Sequence, residues 1–564
     1  MFKEKILGQG WLTTSILAVL IIYYFIGMHY TQHHIGGIGL YRPNNAVGWI
    51  FASAIISLGL LKIANDRQVL ISPTMKMIAL VFIGLIIPYF YGQTDNLWKA
   101  ADRFVAIAAG GLIIFSLQQF RFSEKQWMCI LFSVVVAAFL QVLIGWYEYF
   151  LAAPGAFGGN VPFGTFFQKN NIGTFVLTGF SLACLFLLRA PKLYSSQIYK
   201  ICFSISLIFT LFAGFVLVTV LSRSTQLITL IVIICICIGL GISKVNNRRA
   251  VLLMIFGLLL SICFGIYVLA TAEGNLDALI EFSDTAEWDS DKSTGEPRRL
   301  VWGICWKMFL RSPLLGIGYG DFRWDFLKAQ AEKFSTTGEY YSGSISLPHN
   351  ELIFWAIEGG VVPLLCIICF GLWFVIRIFR KRGISGVFYL VCLVPVIIHS
   401  MLEYPFYQAV VHWLTFCSLI AFISSRQEVK RCYTIAAPVI MRSLAVIIFT
   451  LVTTYMTLAI QSLYWLEKYS VTPKLELLSN IWYPVEHGDI VLSAHMLQRM
   501  NDVNKVWNEK ELLEHVDWLR TTIIYDPKDY LYKYMIRVLE ALGQKEKAEQ
   551  FRTEGKYLFP HSDI

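Results

Sequence analysis

His349 is the side chain in this sequence best suited to take a proton. It stands in Leu347-Pro-His-Asn-Glu351, where a helix is expected to begin. The positive end of a helix disfavours imidazolium, so the ring is predicted to be largely neutral and able to accept a proton near pH 7. Glu358 lies further down the same expected helix as a carboxylate in an apolar run, a setting that usually demands a partner. Arg223 sits in Thr219-Val-Leu-Ser-Arg-Ser-Thr225, flanked by Ser222 and Ser224 as further donors. Its planar donor fork suits a phosphate, although a snorkelling arginine reads the same way. Arg298-Arg299-Leu-Val-Trp302 adds a second cationic pair, followed at helical spacing by Trp306 and Phe309. The alternative there is an amphipathic surface helix. In Pro162-Phe-Gly-Thr-Phe-Phe-Gln-Lys-Asn-Asn171, a Gly-rich approach (Gly155, Gly158, Gly159, Gly164) permits tight turns before Gln168, Lys169 and Asn170. Gln168 and Asn170 offer neutral donors and acceptors, and ordinary helix capping explains them equally well. His399 and Glu403 are four apart and share a helix face, with Tyr404 and Pro405 next.

Long apolar runs must position these residues. About 20 residues of apolar helix cross ~30 Å of hydrocarbon, and the sequence offers thirteen candidates, near 11–28, 46–62, 74–91, 104–119, 127–149, 171–189, 200–220, 226–243, 250–271, 351–376, 386–402, 406–424 and 438–463. With 56% hydrophobic and only 15% charged residues, the chain departs from soluble composition. Barrel strands would be shorter and would alternate, so the expected fold is all-α, a polytopic helical membrane protein. Every second connector is short and basic: Lys62/Arg67, Arg121/Lys125, Arg189/Lys192/Lys200, Lys244/Arg248/Arg249, Arg377/Arg380/Lys381/Arg382 and Arg426/Lys430/Arg431. Basic loops stay in the cytoplasm. The other connectors therefore face out, and they hold Gln168, Arg223, His349, Glu403 and Tyr404.

The expected organisation is nine spans over residues 1–271, an outer loop over 272–350, four spans over 351–463 and a soluble tail over 464–564. Met-Phe-Lys-Glu-Lys before the first run, with no small-residue cleavage site, reads as an uncleaved first helix with a cytoplasmic N-terminus. Thirteen spans then leave the C-terminus outside. The net charge of +9 is uneven: residues 464–564 hold 13 Lys and Arg against 16 Asp and Glu, the remainder 34 against 22. The excess lies in the inner loops and marks topology; it gives no support for nucleic-acid binding. Most of the twelve cysteines sit inside apolar runs, where packing is their ordinary role. The acidic run Glu281, Asp284, Glu287, Asp289, Asp291 lacks the pattern of an EF-hand loop and reads as solvated. Gly316-Ile-Gly-Tyr-Gly320 has the wrong spacing for a dinucleotide fingerprint and reads as a tight turn. In the tail, 508–523, 530–542 and 545–557 carry apolar residues at helical spacing, a cadence that resembles a tetratricopeptide-type hairpin. A small helical cap is the alternative.

Taken in order, these segments resemble the O-antigen ligase/polymerase superfamily of bacterial inner membranes. The set is an outer Gln-x-Asn before a span, a Ser-Arg-Ser turn, Arg-x-x-x-Trp, Ser-Pro-Leu-Leu-Gly-Ile-Gly, and Pro-His-Asn-Glu-x6-Glu-Gly. Within it, Gly-Thr-Phe-Phe-Gln-Lys-Asn and Glu-Tyr-Pro resemble the protein O-glycosylation ligases, the bacterial O-oligosaccharyltransferases. Lys169 departs from the arginine expected after the glutamine. The resemblance implies a glycan donor on undecaprenyl pyrophosphate and an acceptor hydroxyl on an exported protein, such as a pilin-type subunit. It further implies a periplasmic site with His349 as base, and Arg223 with Arg298 and Arg299 stabilising the pyrophosphate. Gln168, Lys169, Asn170, Glu403 and Tyr404 would bind substrate. No metal and no cofactor are required. A sister enzyme acting on lipid A core or on another glycan fits nearly as well. A transporter or flippase would need ionisable groups at the bilayer midplane or repeated broken helices, and the sequence has no internal repeat.

Overall fold

The computed structural model of the chain describes residues 2–91, 97–151, 161–272, 297–341, 345–425, 430–501 and 508–564. The acidic run 281–291, Gly155, Gly158, Gly159 and Arg426 lie outside them. The architecture is all-α and polytopic, and among the described residues eleven helices are long and apolar enough to cross a membrane. The first nine, from Gly10–His29 to Arg248–Thr271, fall on the nine apolar runs expected before residue 272.

Downstream of His349 the expected apolar runs before the last are built from more than one helix each. The run 351–376 is two helices, Glu351–Gly359 and Val361–Arg382, separated at Gly360. Gly360 has φ +74, and a Cβ there would lie 2.3 Å from the carbonyl oxygen of Leu314, so the break needs glycine. The runs 386–402 and 406–424 divide into Val387–Val391, Val394–Ser400, Pro405–Gln408 and Val410–Ser425. Pro395 and Pro405 each open a new helix because they lack the N–H that continuation requires. The last span, Pro438–Val471, is a single helix of 34 residues.

The chain divides into two compact units. The first comprises residues 1–79, 108–292 and 371–487. Its centre is the helix Lys169–Arg189, whose membrane-length window is 100% buried. A helix enclosed by protein rather than lipid can carry polar residues inward, and Asn170, Asn171, Thr174, Thr178 and Ser181 are all buried on it. One end of this unit gathers the basic connectors. Strand Gln68–Ile71 pairs antiparallel with Arg431–Thr434, with Ile71 opposite Arg431. Gln119 bonds both the N–H and the carbonyl of Leu70, and Lys430 Nζ donates to the carbonyl of Gln118 at 2.6 Å. Arg189 pairs with Glu124, Tyr194 donates to the carbonyl of Lys125, and Asn247 reaches Leu187 and Tyr199. Connectors scattered through the sequence thus meet at one end of the bundle, as alternating crossings require.

The second unit comprises residues 80–107, 293–370 and 488–564. Within it the tail helices Glu509–Tyr525, Asp529–Ala541 and Lys545–Leu558 pack on one another and on Leu327 and Ala331 of the helix Phe322–Thr337. Asn508 and Glu511 form a capping box at the first tail helix. Asp526-Pro527 ends that helix, and Gly543, at φ +73, turns the chain between the next two.

Candidate active site

In the first unit the two polar segments flagged by sequence meet on one carboxylate. Glu403, only 6% exposed, accepts from Gln168 Nε2 at 3.0 Å and from Asn170 Nδ2. Gln168 occupies the N-cap position of the helix Lys169–Arg189 but makes no side-chain cap bond there. Its amide spans instead to a residue 235 positions away. Capping therefore does not account for it. Phe167, with φ +52, turns the chain so that Gln168 can enter the helix in extended conformation. Below this layer, Asn171 Nδ2 donates to Gln408 Oε1 at 2.8 Å, and the Thr174 hydroxyl lies 2.8 Å from His399 Nδ1. His399 Nε2 stands 3.5 Å from Glu403 Oε2.

The Arg223 turn belongs to the same cluster. Arg223 is exposed at the first position of the helix Arg223–Ile242, and Ser222 Oγ caps that helix by accepting from Thr225 N–H at 3.1 Å. Ser222 accepts this bond through a lone pair, and its O–H is still able to donate. A Cβ on Gly173 would lie 2.4 Å from Thr225 Oγ1, so the absence of a side chain lets the two helix heads come together. Lys169 Nζ reaches the carbonyl of Leu221 at 3.4 Å, two residues before Arg223. Gln168, Lys169, Asn170, Arg223, Glu403 and Tyr404 are therefore neighbours within one unit.

Sequence reasoning missed Arg42. Its guanidinium donates to the carbonyls of Gly37 and Phe166, each at 2.8 Å, and interacts electrostatically with Tyr404. A cation in a connector of the set expected to face out was the signal that singled out Arg223, and it applied here as well. His34 of the same connector packs edge-on against Phe167 with ring centroids 4.7 Å apart.

His349, Arg298, Arg299 and Glu358 belong to the second unit. His349 is half-buried with φ +56, a left-handed backbone that a non-glycine residue seldom adopts. Asn350 caps the helix Glu351–Gly359 by accepting from Ile353 N–H at 3.0 Å, which leaves His349 just ahead of the helix as expected. Trp302 Nε1 donates to the carbonyl of Pro348 at 3.0 Å. Arg298, one turn before Trp302 on the helix Pro297–Arg311, shares its face. Arg298 is half-buried and acts electrostatically on Tyr341, whereas Arg299 is exposed and acts on Glu339. At the far end of the nine-residue helix, Glu358 finds the partner its position demands. Arg103 forms a buried ion pair with it, and Gly320 N–H donates to Oε1 at 3.0 Å. The turn through Gly316, Gly318 and Gly320, all with positive φ, lies along this helix end: Ile317 and Gly318 N–H donate to the carbonyls of Ile357 and Glu358. Glu358 is thus a fastening for the helix that carries His349. The tail reaches the same region, since Arg323 bonds both Ser346 and Asp526.

Residues 207–368 match the family model described as O-Antigen ligase. Residues 387–564 match the one described as virulence factor membrane-bound polymerase, C-terminal. The first match contains Arg223, Arg298, Arg299 and His349, and the second contains Glu403, Tyr404 and the tail. No curated protein matches the chain. The two matches support the O-antigen ligase/polymerase superfamily, and with it a multi-pass membrane enzyme that transfers glycan.

Proposed function

We propose, on the footing of that superfamily, that the chain is a protein O-oligosaccharyltransferase. It moves a glycan en bloc from an undecaprenyl-pyrophosphate lipid to Ser or Thr hydroxyls of exported proteins, pilin-type subunits among them. The observation that carries this reading is the bonding of Gln168 and Asn170 to Glu403. The Gln-Lys-Asn and Glu-Tyr-Pro segments are those that resemble the protein ligases, and here they build one polar site. On this reading the end of the first unit that gathers the basic connectors faces the cytoplasm, with the N-terminus. The C-terminus and the chemistry are periplasmic, in the bacterial inner membrane.

The acceptor hydroxyl gives its proton to His349 as its oxygen attacks the anomeric carbon. The bond from that carbon to the pyrophosphate oxygen breaks, and the lipid pyrophosphate departs with the electron pair. Arg223, Arg298 and Arg299 offset the charge on the leaving group, the term that dominates such transfers. Gln168, Lys169, Asn170, Glu403 and Tyr404 orient the substrates, and no step uses a metal. The tail supports a polypeptide acceptor, because Arg323 ties it through Asp526 to Ser346, three residues from His349.

A second reading, a polymerase joining glycan to glycan, is favoured by the wording of the match over residues 387–564. Intact-mass analysis of secreted and pilus-type proteins, from cells with and without this chain, separates the two. Glycan-sized mass increments that depend on the chain are expected. A purified enzyme that glycosylates lipid A core or another glycan, and no polypeptide, would refute the protein-ligase reading.

A further inference from the structure

Among the described residues three cations are buried: Arg42, Lys62 and Arg103, at 7%, 8% and 9% exposure. Lys62 pairs with Asp66, and Arg103 pairs with Glu358. Arg42 forms no ion pair among the described residues; its bonds go to two carbonyls. A buried charge compensated only by dipoles is costly, and proteins ordinarily provide a counter-charge. The buried carboxylates of this unit are engaged elsewhere, Glu403 by Gln168, Asn170 and His399, and Glu148 by the N–H groups of Phe163 and Gly164.

The surroundings hold that guanidinium in place. Arg42 precedes Pro43, which opens the helix Pro43–Asp66. Asn44 Nδ2 donates to the carbonyl of Thr165 at 3.4 Å. Asn45 donates to the carbonyl of Gln408 at 3.2 Å and accepts from Val410 N–H at 2.8 Å. The connector is therefore fastened to both segments of the site, the one leading into Gln168 and the one following Tyr404. Burial, partly offset by Tyr404, lowers the Arg42 guanidinium to about 10, so it remains a cation at neutral pH. Of its five N–H donors two go to carbonyls, and an oxyanion can accept from the rest.

We propose that Arg42 binds an oxyanion of the substrate, namely the diphosphate of the lipid-linked donor, and so completes the Gln168–Glu403 site from the first inter-helix connector. This rests on the donor assigned above. A diphosphate at Arg42 supplies a counter-charge that no described residue provides, and binding is strengthened because the guanidinium is already desolvated and oriented.

The test uses the full chain in lipid nanodiscs and sugar-free undecaprenyl diphosphate as probe, with undecaprenyl monophosphate and undecaprenol as comparisons. Arg42→Gln is expected to weaken diphosphate binding about tenfold or more, the worth of a charge-assisted contact, and to leave undecaprenol binding unchanged. It should also raise KM for the glycan-loaded donor without changing KM for the acceptor. Equal diphosphate affinity in wild type and variant overturns the proposal. So does a loss confined to the glycan-loaded donor, which would move the anion into the sugar. If Arg42→Gln does not accumulate, Arg42→Lys decides: weaker diphosphate binding by several-fold is expected, and wild-type affinity overturns the assignment. A wild-type chain that binds neither phosphate probe sinks the donor reading, and the role of Arg42 with it.

Discussion

Removing Arg103 should cost more than removing Arg103 and the charge of Glu358 together. Both side chains are almost fully enclosed, at 8% and 2% exposure. Arg103 also lies over the rings of Phe354 and Trp355, 4.3 and 4.4 Å from their centroids. Arg103→Met preserves most of the volume but strands a buried carboxylate, for which a loss of about 3–5 kcal/mol is expected. Adding Glu358→Gln removes the stranded charge while keeping an oxygen for Gly320 N–H. A neutral pair in place of a buried ion pair is commonly close to neutral in stability, and the lost cation–π contacts leave a deficit of about 1–2 kcal/mol. The double variant should therefore recover about 2 kcal/mol relative to Arg103→Met, roughly a 30-fold shift in the unfolding equilibrium. Denaturant titration in detergent, followed by tryptophan fluorescence, reads this because Trp355 lies against the pair. Since the same short helix is headed by Asn350 and His349, glycan transfer should return in the double variant along with stability. A double variant no more stable than Arg103→Met would refute the argument from stranded charge.

Cysteine substitutions at 349 and 380, treated with an impermeant reagent from outside, should label at 349 and not at 380; the reverse would invert the proposed topology. His349→Ala should abolish transfer while the chain still inserts and accumulates, as measured by glycoprotein yield against membrane-extracted protein. Arg223→Lys should lose most activity because an ammonium cannot replace a forked phosphate contact, and full transfer by Arg223→Ala would remove this residue from the mechanism. Burial holds His34 and His487 down to about 4 from the ordinary 6.5. A histidine lowered in the folded state contributes stability above pH 6.5 that is lost as the pH falls toward 4. Thermal midpoints in detergent should accordingly drop across that window, less so in His487→Asn; a midpoint indifferent to pH there would contradict it.

The early spans were legible because nothing interrupts them: apolar runs of membrane length leave the backbone one economical conformation. Past His349, single residues decide. Gly360 and Pro395 sit in runs as apolar as any other, and hydropathy alone does not register a carbonyl 2.3 Å from an absent Cβ. Pairings were legible as needs and not as partners. Glu358 was expected to require a counter-ion, yet Arg103 lies 255 residues away in the chain. Gln168 and Asn170 were open to capping because a helix start supplies local reasons for polar residues, whereas their bond to Glu403 is a tertiary fact. Arg42 carried the same connector-cation signal as Arg223, whereas its partner at Phe166, 124 positions distant, was not legible.

The two-stranded clasp has a consequence for biogenesis. Ile71 pairs with Arg431, 360 residues further on, and the helix Pro43–Asp66 that leads into the first strand packs along the final span, Pro438–Val471. At a synthesis rate of about 5–20 residues per second, the second span waits roughly 20–70 s in the bilayer before its last neighbour emerges from the ribosome. During that interval the polar side chains that it will share with late segments, Asn45 with Gln408 and Ser57 with Ala445, have only transient companions. A ribosome stalled before residue 431 would therefore leave an inserted but unclosed bundle, a form that membrane proteases and insertion chaperones are equipped to find.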